Sequence, residues 1–340
     1  MPKTTKNLAI LLTVTSWLAP ALGGGKNVDA GAVETTRTEP MIFWRDPSDI
    51  ASRNLFYGPG GRDHQPRGPF MFVKEDREGS NPKFTVTGSD GVEWKAKLGV
   101  EARPETVATR IVWAIGYAAD QDYFLDEIHV SGLPEHLHRG QSLVGAGGSI
   151  RNVRLEREQK GHKLGTWKWK RSPFEHTREF NALRVVMAVI NDWDLKDANN
   201  SRREIATKTG KEQVFYISDL GATFGTNAIA RPRSKSKGDL CSYQESAFIK
   251  KITPDYIDFA TPKRPPVVFL VSPFEFMRRV HLDWIGHRIP RADARWTGEL
   301  LGRLSVRQIE DAFRAAGYSP WEIEGFTKVV RSRIEELEKL

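Results

Sequence analysis

Cysteine is almost absent: Cys241 stands alone among 340 residues, so the chain can close no internal disulfide. Secreted eukaryotic domains of this size ordinarily carry several, and an exported protein with a single thiol fits a bacterial periplasm better. Cys241 lies in a polar segment with no histidine near it in sequence, which reads as a structural thiol and not a nucleophile. Long apolar runs are missing as well. The stretch from Leu8 to Leu18 is broken by Thr and Ser and falls short of the about 20 residues a membrane span requires. The eight histidines contain no His-Glu-x-x-His and no paired spacing, which argues against a zinc site. Lys and Arg exceed Asp and Glu by 51 to 43, but they do not gather into one long run. Nucleic acid is therefore not an expected partner, whereas an anionic small ligand is compatible with the mild excess.

What is present begins with a targeting pattern. Lys3 and Lys6 precede the short apolar stretch, and Pro20 is followed by Ala21-Leu22-Gly23, with small residues where a signal peptidase reads. Residues 1–23 are expected to be a cleaved signal peptide, with export to the periplasm or beyond; a buried N-terminal helix is the other reading. Residues 24–69 form an extension, first without periodicity and then aromatic but broken by Tyr57-Gly58-Pro59-Gly60-Gly61, which predicts a loop-rich wrap with short helical turns. From Phe70 the pattern becomes strand-like: Phe70–Val73, Phe84–Thr87 and Val92–Leu98, the last two joined by a turn containing Asp90-Gly91. A helix is expected from Pro104 through Ile115, and residues 131–150 are glycine-rich with little pattern. A short strand follows at Val153–Glu156, then a long helix from Phe174 to Ile190, a polar segment over 191–200 and a strand at Val214–Ser218. The C-terminal third reads as helical, with capping boxes at Ser305/Gln308 and Ser319/Glu322. The order predicts an α+β fold with a small antiparallel β lobe over 70–155 and a larger helical lobe over 156–340.

The residues that carry chemistry sit at Asp194-Leu195-Lys196-x-x-Asn199 and at Asp219-Leu220-Gly221. Helix, polar loop, hairpin, strand and Asp-Leu-Gly in this order resemble the protein-kinase-like superfamily, whose catalytic loop reads D-L-K-x-x-N and whose metal-binding motif reads D-F-G. The resemblance implies a phosphotransferase that uses ATP or another nucleoside triphosphate with Mg²⁺ or Mn²⁺. Asp194 would be the base, Lys196 would stabilise the transferring group, and Asn199 and Asp219 would be the metal ligands. It also requires a strand lysine and a helix glutamate, which Lys97 and Glu105 supply as a phosphate-positioning ion pair. Lys95 points to the same side of the strand by alternation, so the choice between the two lysines stays open.

Several parts of the pattern differ. No G-x-G-x-x-G lies between the first two strands; Gly79-Ser80-Asn81-Pro82-Lys83 takes that place, with Gly79, Ser80 and Lys83 as candidate phosphate contacts. Asp192-Trp193 replaces the His-Arg before the catalytic Asp, and no A-P-E follows. The likeness is thus to divergent branches, among them lipid kinases, HipA-type kinases and the spore-coat and secretory-pathway kinases. Trp167-Lys168-Trp169-Lys170 is either the rim of a substrate groove or an amphipathic strand or hinge. The basic run Arg231 to Lys237 is either a dock for an anionic acceptor or a solvated loop. Two other readings use the same residues: a binding or scaffolding protein without turnover, since periplasmic ATP is scarce, and a nucleotidyl (AMP) transferase.

Overall fold

Strands Phe70–Asp76 (β2), Lys83–Thr87 (β3), Glu93–Leu98 (β4), Gln121–Ser131 (β6) and Ser149–Arg157 (β7) close into a barrel in the order β2-β3-β4-β7-β6. The structure, a computed structural model, describes residues 39–77, 81–225, 236–261 and 273–340, and residues 39–340 form one compact unit. Residues 1–38 lie outside the described residues, so the expected signal peptide is not seen. The barrel interior holds Phe84, Val86, Trp94, Ala96, Leu98 and Leu155, all 2% exposed or less. Their alternation puts Lys95 and Lys97 on the opposite, outward face of β4.

Helix α1 (Ala102–Ala114) lies against this barrel and is buried on nearly every side. The helical lobe follows. Its sheet, in the order β1-β10-β9-β8, consists of Met41–Ile42, Gly210–Ile217, Asn200–Thr207 and His162–Gly165, with Ala118–Ala119 (β5) also on β10. Helix α2 (Arg178–Val189) starts at Thr177, whose hydroxyl accepts from the Phe180 amide at 3.1 Å. Beyond lie α3 (Leu240–Glu245), α4 (Pro273–Leu282), α5 (Arg291–Gly302), α6 (Val306–Ala315) and α7 (Pro320–Glu338). Both expected capping boxes are formed, at the starts of α6 and α7.

Two features depart from the sequence reading, in β6 and in the C-terminal third. Over its described part the extension packs on the core: Phe43 stacks on Phe174 at 4.7 Å and packs edge-on against Trp167 and Tyr117. Burying one such ring contributes roughly 2–3 kcal/mol, so the wrap fastens itself to the helical core. Strand β6 runs through a segment that showed no strand pattern, because its Asp122 is buried and satisfied by Arg154 and Thr109. A small sheet of Ile249–Ile252 (β11), Tyr256–Phe259 (β12) and Ile289–Pro290 (β13) interrupts the helical C-terminal third. The α+β arrangement itself, a β lobe followed by a helical lobe, is as expected. No helix among the described residues is long and apolar enough to cross a membrane.

Candidate nucleotide and metal site

Helix α2 delivers the chain into the polar segment, and backbone geometry fixes its course. Asn191 adopts φ 57°, a left-handed turn that asparagine tolerates better than most residues. The Asp192 amide then bonds back to the Met187 carbonyl at 2.8 Å. The Asp194 amide donates to the Asp192 carboxylate at 2.9 Å, and the Asn199 side-chain amide donates to the Asp194 carbonyl at 2.8 Å. Asp197 accepts from the backbone amide of Trp169 at 3.0 Å, tying the loop to the preceding segment. Lys196 reaches the Asp194 carboxylate at 3.1 Å.

Strand β10 ends at Ile217, and Asp219 follows with φ 55°. A non-glycine residue held there is strained, and such strain concentrates at functional positions. Asp194, Lys196, Asn199 and Asp219 line one pocket with Asp192 and Trp169. Residues 25 positions apart in sequence thus share one cavity.

Lys97 joins this group from the barrel. Its ammonium lies 2.8 Å from Glu105, 2.7 Å from Asp219 and 2.8 Å from Glu101. Lys95 instead faces Glu156 at 3.4 Å, so the lysine in the cluster is Lys97. Burial opposes the Lys97 charge, but Glu105, Asp219 and Glu101 outweigh it and hold the amine protonated far above the ordinary lysine range. Burial drives the Glu105 carboxyl up to about 7, against the pull of Arg154 and Lys97. Glu101 goes the other way: burial is overcome by Lys97 and Lys237, and its carboxyl drops to about 2.

The sequence reading gave no site role to Glu101 or Arg154, and it did not join Asn81 and Lys237, which lie in segments it named, to this cluster. Glu101 stands four residues after Lys97, a spacing that was visible but falls across a strand end and a turn. Arg154 backs Glu105 at 3.4 Å and pairs with Asp122 at 2.6 Å and Glu156 at 3.0 Å. Asn81 and Lys237 both bond the Glu101 carboxylate. Nothing local in the sequence announces these partnerships, which span up to 136 positions.

The remaining candidates are placed differently. Gly79 and Ser80 lie outside the described residues. Lys83 is turned onto Asp76 at 3.1 Å, so the described residue of that turn that reaches the Lys97 cluster is Asn81. Trp167 and Trp169 are buried, at 4% and 2% exposed, which makes the Trp-Lys alternation a core-facing segment. Cys241 is a free, exposed thiol on α3. Of the basic run, residues 231–235 lie outside the described residues, and Lys237 points inward to Glu101.

No protein-family model and no curated protein matches the chain. Among solved structures it is similar to the Helicobacter pylori proinflammatory kinase CtkA, at 9% identity and a TM-score of 0.45, over 79% of this chain and 96% of that one. It is also similar to the Rio2 kinase of Chaetomium thermophilum, solved as an ADP/Mg²⁺–phosphoaspartate complex, at 10% identity and a TM-score of 0.32, over 78% of this chain and 72% of that one. These likenesses are distant, and the side-chain distances above stand independently of them.

Proposed function

We propose that the protein is a kinase-like phosphotransferase that moves the terminal phosphoryl group of a nucleoside triphosphate to a hydroxyl acceptor, and that it works outside the cytoplasm. The observation that carries this reading is Lys97, whose ammonium meets Glu105 of α1 and Asp219 of the Asp-Leu-Gly turn within 2.8 Å. Strand β4, the helix that follows it and a turn 122 positions beyond Lys97 converge on one cation beside the pocket that contains Asp194 and Asn199.

Asp219 and Asn199 offer carboxylate and amide oxygens, hard donors suited to Mg²⁺ or Mn²⁺. The Asp219 side chain is half exposed, and the Asn199 amide nitrogen is already turned to the Asp194 carbonyl, which leaves its oxygen as the ligating atom. These two residues would hold the metal, which when bound neutralises charge on the phosphates. Asp194 accepts the acceptor's hydroxyl proton as the acceptor oxygen bonds to phosphorus. The bond from phosphorus to the bridging oxygen breaks, and a nucleoside diphosphate leaves. Lys196, already paired with Asp194, is placed to stabilise charge on the transferring group, and Lys97 positions the phosphates. Export is supported by Lys3, Lys6 and the apolar stretch before Ala21-Leu22-Gly23. An anionic acceptor is supported by Arg231, Arg233 and Lys235 in the sequence, Lys237 being taken up by Glu101.

Incubation with triphosphate labelled at either the γ- or the α-phosphate, with Mg²⁺ and a host extract, tests the reading. Transfer of the γ-label that is lost in Asp194→Asn is the expected result. Transfer of the α-label would make the protein a nucleotidyl transferase. Binding with no transfer of either label would make it a scaffold.

A further inference from the structure

Three donors from three separate segments converge on the carboxylate of Glu101. Lys97 contributes from β4 at 2.8 Å, Asn81 from the turn before β3, and Lys237 from the segment after the Asp-Leu-Gly turn. Glu101 is 5% exposed, and the α-carbon of Gly221 presses on it so closely that an added Cβ would lie 2.7 Å from the Glu101 Cβ. Two ammonium groups and an amide N–H around one buried anion form the donor set that a phosphate group takes. Glu101 belongs to none of the roles assigned above. It does not line the pocket of Asp194 and Asn199, although its carboxylate lies within 4.8 Å of those of Glu105 and Asp219, and Lys97 already has Glu105 and Asp219 to hold it.

We propose that Lys97, Lys237 and Asn81 form a phosphate-binding site for the bound nucleotide and that the Glu101 carboxylate occupies it in the free protein as a built-in competitor. The inference rests on the phosphotransferase reading for the identity of the nucleotide, though not for the anion chemistry. A phosphate oxygen takes over the three donors as Glu101 swings out, so the free protein binds weakly by the fraction of molecules in which Glu101 has left.

This arrangement has a thermodynamic signature. Glu101→Gln removes the competitor's charge, and binding of pyrophosphate without metal, and of ATP with Mg²⁺, should tighten by about tenfold. Lys237→Ala alone should change binding by less than about twofold, because the lysine exchanges one anion for another when ligand arrives. In the Glu101→Gln background the same Lys237→Ala change should cost about tenfold, since Lys237 then has no competing partner to lose. Calorimetric titration of wild type, both single variants and the double variant reads all four constants. If Glu101→Gln binds no tighter than wild type, or if Lys237→Ala costs the same in both backgrounds, Glu101 is a structural partner of Lys97 and the proposal is wrong. Should Glu101→Gln fail to fold, the wild-type protein crystallised with pyrophosphate decides. An anion between the ammonium groups of Lys97 and Lys237 with Glu101 displaced supports the proposal, and Glu101 still on Lys97 in a pyrophosphate-bound protein overturns it. Metal-free pyrophosphate binding that follows this pattern, with no nucleotide binding at all, would retain the anion site while removing the kinase reading.

Discussion

Lys97, itself buried, sits among three carboxylates of which Glu101 and Glu105 are buried too, and the pH response of the fold should report it. Glu101 titrates near 4.5 when the chain is unfolded and at about 2 when folded. A depressed acid adds stability that is present above its unfolded value and lost as pH falls through the folded one. Glu101 should therefore contribute roughly 3 kcal/mol at neutral pH, fading between pH 4.5 and about 2. Glu105, raised to about 7, acts in the opposite sense: its contribution is complete below pH 4.5 and lost as pH rises through 7. Urea titrations of wild type and Glu101→Gln at pH 7 and pH 3 separate the two, because Glu105 is common to both proteins. The variant should be clearly less stable at pH 7, and the gap should fall by more than half at pH 3. A gap of the same size at both values would mean that Glu101 carries no such charge linkage. Of this cluster, Lys97, Glu105 and Asp219 were legible in the sequence because each stands in a motif with an expected spacing. Glu101 and Lys237 were not, since their pairing arises only when the strand end, the helix start and the segment after Gly225 come together in space.

At the scale of elements, the pocket depends on where α2 ends. Arg333 of α7 reaches across to that end: its guanidinium donates to the carbonyls of Ala188 and Val189 at 3.1 and 3.0 Å and to Ser246, while lying over Tyr243. Helix-end carbonyls lack a full set of intrahelical donors, and here the arginine adds to the Asn191 amide on Ala188 and the Tyr243 hydroxyl on Val189. Arg333→Met should cost about 1–2 kcal/mol by removing charge-assisted hydrogen bonds at that helix end, and should lower turnover although Arg333 touches no residue of the pocket. Unchanged stability in thermal denaturation would contradict this account of how α2 is anchored. The capping boxes give a smaller and more local test. Ser305→Ala and Ser319→Ala should each cost about 1 kcal/mol, with no effect on ligand binding. Such elements were readable because their signals are local. Ser305 and Gln308 announce α6, and apolar spacing announces α1 and α2. Strand β6 was not readable, because Asp122, Asp126 and Glu127 break its alternation, and burial of Asp122 is made tolerable by Thr109 of α1 and by Arg154, 32 positions beyond it. The short strands β11 to β13 escaped for a related reason: Ile249-Lys250-Lys251-Ile252 carries too few apolar residues for its pattern to stand out.

For the molecule as a whole, the β lobe brings Lys97 and Glu105, the helical lobe brings Asp194, Asn199 and Asp219, and the Lys97–Asp219 contact joins them. The leader is a separate claim. Material recovered from the native host's periplasm or medium should begin near Gly24, and protein lacking residues 1–23 should fold unaided; full-length cytosolic protein with its first residues intact would remove the export proposal. The lobes were foreseeable because the order of elements was, whereas the barrel closure between β2 and β6 needs a pairing that spans 60 residues and leaves no mark in either strand. The central claim is that this joint site binds a metal–nucleotide pair. Thermal shift of wild type, Asp219→Asn and Asp194→Asn with ATP, with Mg²⁺ and with both tests it most directly. A ligand at a hundred times its Kd stabilises by about 2.7 kcal/mol, a shift of a few degrees for a protein of this size. Wild type should shift only with ATP and Mg²⁺ together, Asp219→Asn should not shift because the charge that holds the ion is gone, and Asp194→Asn should shift like wild type while losing turnover. A wild-type protein that does not respond to any metal–nucleotide combination, or an Asp219→Asn variant that responds as wild type does, would contradict the account.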